Sequence, residues 1–407
     1  MTPRVCITAM GWVSPLGHDP VTFDEALFAG RSGLSVMDLH LPGSDPCQIP
    51  VGRCDFDDSQ VKAPSKLPLD RGTAMALVSA QQAWDQAGLE RHPIDLQRWG
   101  LFWGCGMGGA ASFEATSRAV WGDHRRIRPS SVVTSMPNAP LAELAVHFGI
   151  QGLALSYACA CASAAVALGE AMWAIRHGRV DAALVGGSEA LLVPGVVGAW
   201  QAMRVLAPPG SDPAHACRPF AADRSGFALG EGAAAFVLES EAHLRARGGQ
   251  PRWLLSGYGT TCDGRHITQP DPPGQVRAMQ AALADAGLPA HKIGHVNSHG
   301  TATQAGDAAE ALSLRTVFGT HRPAVTATKS VTGHLLGASG ALELVATLRA
   351  LQTQRVPPVG HQAALDPKMD LDLVQGAARD LLHLEHAMSN SFAFGGTNAV
   401  LIASRAG

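Results

Sequence analysis

The chain carries little charge and no excess of either sign. Acidic and basic side chains make up 16% of its 407 residues, 31 basic against 34 acidic, which gives no grounds for a nucleic-acid surface. Cys-x-x-Cys spacing is missing too. The eight cysteines are scattered, as expected of small buried hydrophobes in a reducing compartment. No apolar run reaches the length of a membrane span, because Glu170, Glu189 and Pro194 interrupt the longest candidates. The stretch Met1 to Met10 lacks the apolar core of a signal peptide and reads as a first strand. These absences predict a cytoplasmic protein with no membrane or nucleic-acid partner. Apolar residues, in contrast, reach 46%, enough for two core-forming halves in a chain of this length.

Continuous apolar strands alternate with helices, which predicts a largely parallel sheet covered on both faces. The segment from about Gly33 to Leu69, rich in Pro, Gly and Asp, reads as a loop. A strand from Trp99 ends in Gly104-Cys-Gly-Met-Gly-Gly109, whose glycines let something pass close to the backbone. The rest of the chain is organised around Leu153 to Ala165, where a strand-like run passes through small residues into an Ala-rich helix that stops at Gly178. A cysteine at such a junction meets unpartnered helical N–H groups, whose partial charge favours the thiolate and lowers the cysteine pKa. Cys159 and Cys161 compete for that position. Small neighbours leave room for a substrate, and Cys161 is the favoured nucleophile.

The second part of the chain repeats the first. Trp253 to Gly259 matches the opening strand, and Asp285-Ala-Gly-Leu288 echoes Asp85-Gln-Ala-Gly-Leu89. Ser298-His-Gly-Thr-Ala-Thr303 then stands where the Gly104–Gly109 loop stood. The loop Ala327 to His334, entering a helix at Leu335, occupies the place of the cysteine stretch. A duplication of this kind puts corresponding loops at one seam. Cys161 would there face His299 and His334, with Lys329, Thr301 and Thr303 nearby. The residues alone leave a cysteine hydrolase, a zinc site and an acyl-transfer enzyme open. Against zinc, the candidate ligands are spread along the chain with no close-spaced pair.

Five motifs carry a resemblance over nearly the whole chain: Cys159-Ala-Cys-Ala-Ser-Ala164, Arg218 to Gly232, Val296 to Asp307, Thr328 to Gly337, and Asn390-Ser-Phe-Ala-Phe-Gly-Gly-Thr-Asn398. In order and spacing the sequence resembles the β-ketoacyl-acyl-carrier-protein synthases, condensing enzymes of the thiolase superfamily, in their longer-chain elongating branch. The resemblance implies an α/β, thiolase-like fold in a duplicated five-layered αβαβα arrangement, with residues 1–250 holding the nucleophile and 251–407 the histidines. It places the nucleophile at Cys161. It also implies an acyltransferase that condenses malonyl-acyl-carrier protein, with loss of carbon dioxide, onto an acyl thioester at Cys161.

In that scheme the N–H groups of Cys161 and Phe394 form an oxyanion hole. Neutral His299 and His334 donate Nε2–H bonds to the enolate. Lys329 biases the local charge and pairs with Glu310 or Asp307. Thr301 and Thr303 bond the phosphopantetheine arm, so that no other cofactor and no metal is implied. Phe394 is the gate beside Phe392, although Ala393 stands where the family usually has Gly. Met107 and Trp200 would bound the acyl pocket, and Ser130 and Ser131 stand where many relatives have aromatic residues contributed by the partner subunit, leaving acyl specificity open. Arg125, Arg126 and Arg204 would dock the acidic carrier protein, while Leu67 and Pro68 stand where relatives carry basic residues. The expected assembly is a homodimer, or a heterodimer with a chain-length factor in polyketide or aryl-polyene synthesis.

Overall fold

A computed structural model describes residues 3–89 and 94–406. Of the N-terminal stretch read as a strand, Met1 and Thr2 lie outside these. Ten strands form the main sheet: β1 Val5–Val13, β2 Trp99–Gly104, β3 Ala154–Tyr157, β4 Ala182–Glu189, β5 Gly232–Ser240, β6 Trp253–Cys262, β7 His295–Asn297, β8 Ala324–Thr326, β9 His386–Phe392 and β10 Thr397–Arg405. Their spatial order is β8-β7-β9-β10-β6-β1-β5-β4-β2-β3. Adding five to each number of the first half reproduces the second half, reflected about the β6–β1 junction. That junction is only the antiparallel pairing of Cys6 with Leu254 and Ile7 with Trp253. The duplication therefore survives as topology.

The helices follow the same rule. We label α1 Arg71–Ala87, α2 Ser163–Arg176, α3 Pro272–Ala286, α4 Gln304–Phe318 and α5 Ser339–Thr353. α2 follows β3, and α5 follows β8. Leu168, Met172 and Ile175 of α2 are buried with Leu342, Leu344 and Val345 of α5 in one cluster. Each such side chain contributes roughly 1.5–3 kcal/mol by leaving water. The two helices approach closely because Gly340 lacks a side chain: a Cβ there would lie 2.9 Å from that of Ala165. This contact brings the Cys161 half against the His334 half.

Two expectations are corrected. The sheet is mixed, because β1, β5 and β6 with β10 pair antiparallel, and only β2–β3, β2–β4, β7–β8 and β7–β9 are parallel. Continuous apolar runs report burial on both faces, and the central antiparallel strands are buried in the same way. The Gly33–Leu69 loop contains strands Ser35–Leu39 and Cys47–Gly52. They were hidden because the first is mostly exposed and the pair is completed only by distant Leu229–Gly230.

Candidate active site

Between β3 and α2 the chain makes one tight turn, Ala160–Ala162. Ala160 holds φ at +47°, a left-handed conformation costly to a residue with a side chain. The Ser163 hydroxyl locks it, accepting from the Cys159 N–H at 2.9 Å and donating to the Ala160 carbonyl at 2.7 Å. Cys161 is thereby presented at the helix entrance, 6% exposed. The other half repeats the device: Leu336 has φ +45°, the turn Leu336–Ala338 precedes α5, and Ser339 follows it. There the Ser339 hydroxyl lies 2.9 Å from His334 Nδ1.

His334 Nε2 stands 3.1 Å from Cys161 Sγ. The Leu336 backbone N–H points at His334 Nδ1 from 3.2 Å. An amide N–H only donates, so Nδ1 accepts and the proton of the neutral ring sits on Nε2. His299 is wired alike, because the Lys329 ammonium, which also only donates, lies 3.2 Å from its Nδ1. The two rings stand 5.4 Å apart, nearly perpendicular at 83°. Burial first, and then the charge of Lys329, hold both imidazoles well below the ordinary histidine range. They are uncharged donors at neutral pH.

Lys329 is buried, donates to the His299 carbonyl at 2.6 Å and forms its ion pair with Glu343 on α5. All three ammonium hydrogens therefore have acceptors. The expected partners Glu310 and Asp307 are corrected. Glu310 accepts the N–H groups of His299 and Gly300, each at 2.8 Å, and the Asn390 amide at 3.1 Å. Asp307 accepts from Phe220 at 2.6 Å, Thr301 at 3.0 Å and Ala302 at 3.1 Å. Both carboxylates hold the loop that carries His299, and neither meets the lysine.

The expected lowering of the Cys161 pKa is also corrected. Burial pushes the thiol up to about 11, against the pull of Lys329 and of the backbone N–H groups of Phe394 and Cys161 itself. A helix entrance favours the thiolate, but desolvation is the larger effect in so closed a site. The resting side chain is a thiol. Behind it Glu189, fully buried, accepts from the Gly106 N–H at 2.7 Å, Met107 at 3.2 Å and Gly337 at 3.1 Å. This clasp between the halves went unread in the sequence.

Cys161, His299, His334, Thr301, Thr303, Trp200, Phe392 and Phe394 line one cavity of about 230 Å³. The Phe394 ring stacks on Trp200 with centroids 5.9 Å apart, and Trp200 meets Phe227 edge-on at 5.8 Å. The Thr301 and Thr303 hydroxyls lie 2.9 Å from each other, and Thr303 also caps α4. His266, Ile267, Thr268 and Gln269 also line the cavity, a loop with no motif to mark it in the sequence. Met107 is not among the lining residues and is 45% exposed. Arg204 is exposed between Met203 and Val205, both of which line the cavity. Arg125 and Arg126 line a separate groove with Ser130 and Ser131, so the basic residues fall in two places.

One sulfur and two ring nitrogens of Cys161, His299 and His334 lie within 4.8 Å of one another, a donor set of the zinc type. Their wiring opposes it. Each Nδ1 already accepts a hydrogen bond, each Nε2 keeps its proton, and the Lys329 ammonium repels a second cation.

A thiol and two proton-bearing imidazoles around a largely apolar cavity, on a duplicated α/β scaffold, define a condensing enzyme of thiolase-like fold. The comparisons agree. The family description "Beta-ketoacyl synthase, N-terminal domain" matches residues 2–243, and "Beta-ketoacyl synthase, C-terminal domain" matches 254–363. The chain is 36% identical to 3-oxoacyl-[acyl-carrier-protein] synthase 2 of Coxiella burnetii, over 99% of this chain and 98% of that protein. It is 38% identical to nodulation protein E of Rhizobium meliloti strain 1021, over 98% and 99%. Among solved structures, the type II PKS ketosynthase of AntDE:AntF, in complex with its acyl-carrier protein, superposes with a TM-score of 0.90 at 27% identity, covering both chains fully. The chain belongs to the β-ketoacyl synthase family, and it is an acyltransferase of the condensing type.

A thiol held near 11 predicts the reactivity of the free enzyme. Alkylation of Cys161 by iodoacetamide should accelerate about tenfold per pH unit between pH 7 and 9, following the thiolate fraction. A plateau below pH 8 would contradict this environment.

Proposed function

We propose that this chain is a β-ketoacyl-acyl-carrier-protein synthase that elongates acyl chains in two stages, with Cys161 in the half 1–250 and its histidines in 251–407. The reading is carried by one observation: the His334 Nε2 lies 3.1 Å from the Cys161 sulfur, with His299 beside it on the same cavity. The acyl groups arrive on the phosphopantetheine of an acyl carrier protein, so no separate cofactor enters. The eight free cysteines support a cytoplasmic setting.

In the first stage the Cys161 sulfur attacks the acyl thioester carbonyl. The N–H groups of Cys161 and Phe394 receive the developing oxyanion. Collapse expels the carrier thiolate, which takes the proton that Cys161 gives up. In the second stage malonyl-carrier protein enters along Thr301 and Thr303. Its carboxylate leaves as carbon dioxide, and the electron pair moves onto the thioester oxygen, where the Nε2–H groups of His299 and His334 hold the enolate. The enolate carbon then attacks the acyl carbonyl on Cys161, a carbon–carbon bond forms, and the sulfur departs as thiolate and takes a proton from water. Lys329 and Glu343 keep His299 oriented. Phe394, beside Phe392, must leave Trp200 to open the cavity between stages, and Trp200 bears on acyl length. Arg204 at the cavity mouth, with Arg125 and Arg126, receives the acidic carrier.

A dimer belongs to the reading. The outer edge strand β3 is mostly exposed, and Phe113, Trp121, Ile127, Val132 and Leu155 show large apolar surface in the same stretch of chain. An unpaired edge beside exposed apolar side chains is a template for association.

His299→Ala should lower release of carbon dioxide from malonyl-carrier protein by about 10²–10³-fold, the effect of losing one oxyanion donor, while acylation of Cys161 read by mass spectrometry changes little. Undiminished release would remove His299 from the second stage. Size-exclusion with light scattering should give twice the monomer mass, and Leu155→Asp should give monomers. A wild-type monomer that dimerises only with a candidate chain-length factor favours the heterodimer instead.

A further inference from the structure

The turn that carries Thr301 and Thr303 is held from behind by a side chain that does not line the cavity. The Arg224 guanidinium is 3% exposed. Its Nε donates to the Thr303 carbonyl at 3.2 Å and its Nη2 to the Gln304 carbonyl at 3.0 Å. Its Nη1 reaches the Ala221 carbonyl and the Asp366 carboxylate, both at 2.9 Å. Gln304 returns a bond from its amide to the Arg224 carbonyl at 2.6 Å. Arg224 Nε also stands 3.8 Å from one oxygen of Asp307, whose other oxygen accepts the N–H groups of Thr301 and Ala302. Ala302 itself holds φ at +61°. A residue with a Cβ stays there only if its surroundings enforce it, and this kink brings the two threonine hydroxyls together.

We propose that Arg224 is a positioning residue for substrate binding: its guanidinium fixes the kinked Thr301–Thr303 turn and keeps in register the two hydroxyls that receive the pantetheine arm. This rests on the reading of those threonines given above. The planar fork is essential to it, because four acceptors are met at once from three nitrogens, which a lysine cannot reproduce. Arg224 touches no reacting atom, so its loss weakens binding and spares the thiol.

Two readouts separate positioning from general damage: KM and kcat for an acyl-pantetheine thioester, and alkylation of Cys161 by iodoacetamide, which needs no pantetheine. Arg224→Lys should raise KM about tenfold, the scale of one lost charge-assisted hydrogen bond, with kcat and alkylation within about twofold. Asp366→Asn, which loosens a single contact, should shift KM the same way by about threefold and serves if Arg224→Lys does not fold. Thr301→Val tests the underlying reading by itself. If Thr301→Val leaves KM unchanged, the hydroxyl reading falls and the proposal with it. If Thr301→Val raises KM while the folded arginine or aspartate variant does not, the positioning role is overturned and the threonines stand. A parallel fall of kcat and alkylation in Arg224→Lys overturns it as well.

Discussion

A buried lysine sets the terms for the whole site. The Lys329 ammonium lies out of water, and such a charge persists only with a close counter-ion and acceptors for each hydrogen. Glu343 on α5 is the counter-ion, and the His299 carbonyl and Nδ1 complete the set. Satisfying the lysine therefore fixes the histidine: its ring orientation and tautomer follow from one cation, which adds to the burial that keeps the ring neutral. His334 reaches the same state by another route, through the Leu336 N–H. Two unrelated donors thus leave two Nε2–H groups facing one sulfur.

The duplication explains why those parts meet. Each half enters a buried helix through a turn strained at a residue with positive φ, Ala160 in one and Leu336 in the other. One turn carries the thiol. Its counterpart supplies the N–H that sets the tautomer of the histidine facing that thiol. The close contact at Gly340 and the Glu189 clasp on Gly106 and Gly337 keep the two turns in register. Strain in sparsely populated backbone regions is held only where packing enforces it, and here it falls beside the reacting atoms.

Much of this was legible in the sequence. Cys161, His299 and His334 were named because a strand-to-helix junction and a repeated loop order mark them, and the structure brings all three together. The partner of Lys329 was not legible. Glu310 and Asp307 sit by the motif that carries His299, but both are committed to backbone N–H groups, while Glu343, 14 residues beyond the lysine, reaches it only through the path of α5. The thiol's pKa was misjudged because a sequence displays the helix entrance and hides the desolvation. Strand direction was invisible for a similar reason: a hydrophobic run records what covers a strand and not which neighbour it pairs with. Met107 lies off the cavity wall, although the resemblance placed it at the acyl pocket.

The central claim concerns where two protons sit, and nitrogen NMR reads that directly. In protein labelled with ¹⁵N-histidine, with signals assigned by loss in His299→Ala and His334→Ala, both rings should show a protonated Nε2 and an unprotonated Nδ1, unchanged from pH 6 to 8. A signal for either ring that titrates to imidazolium in that range, or that places the proton on Nδ1, would contradict the account.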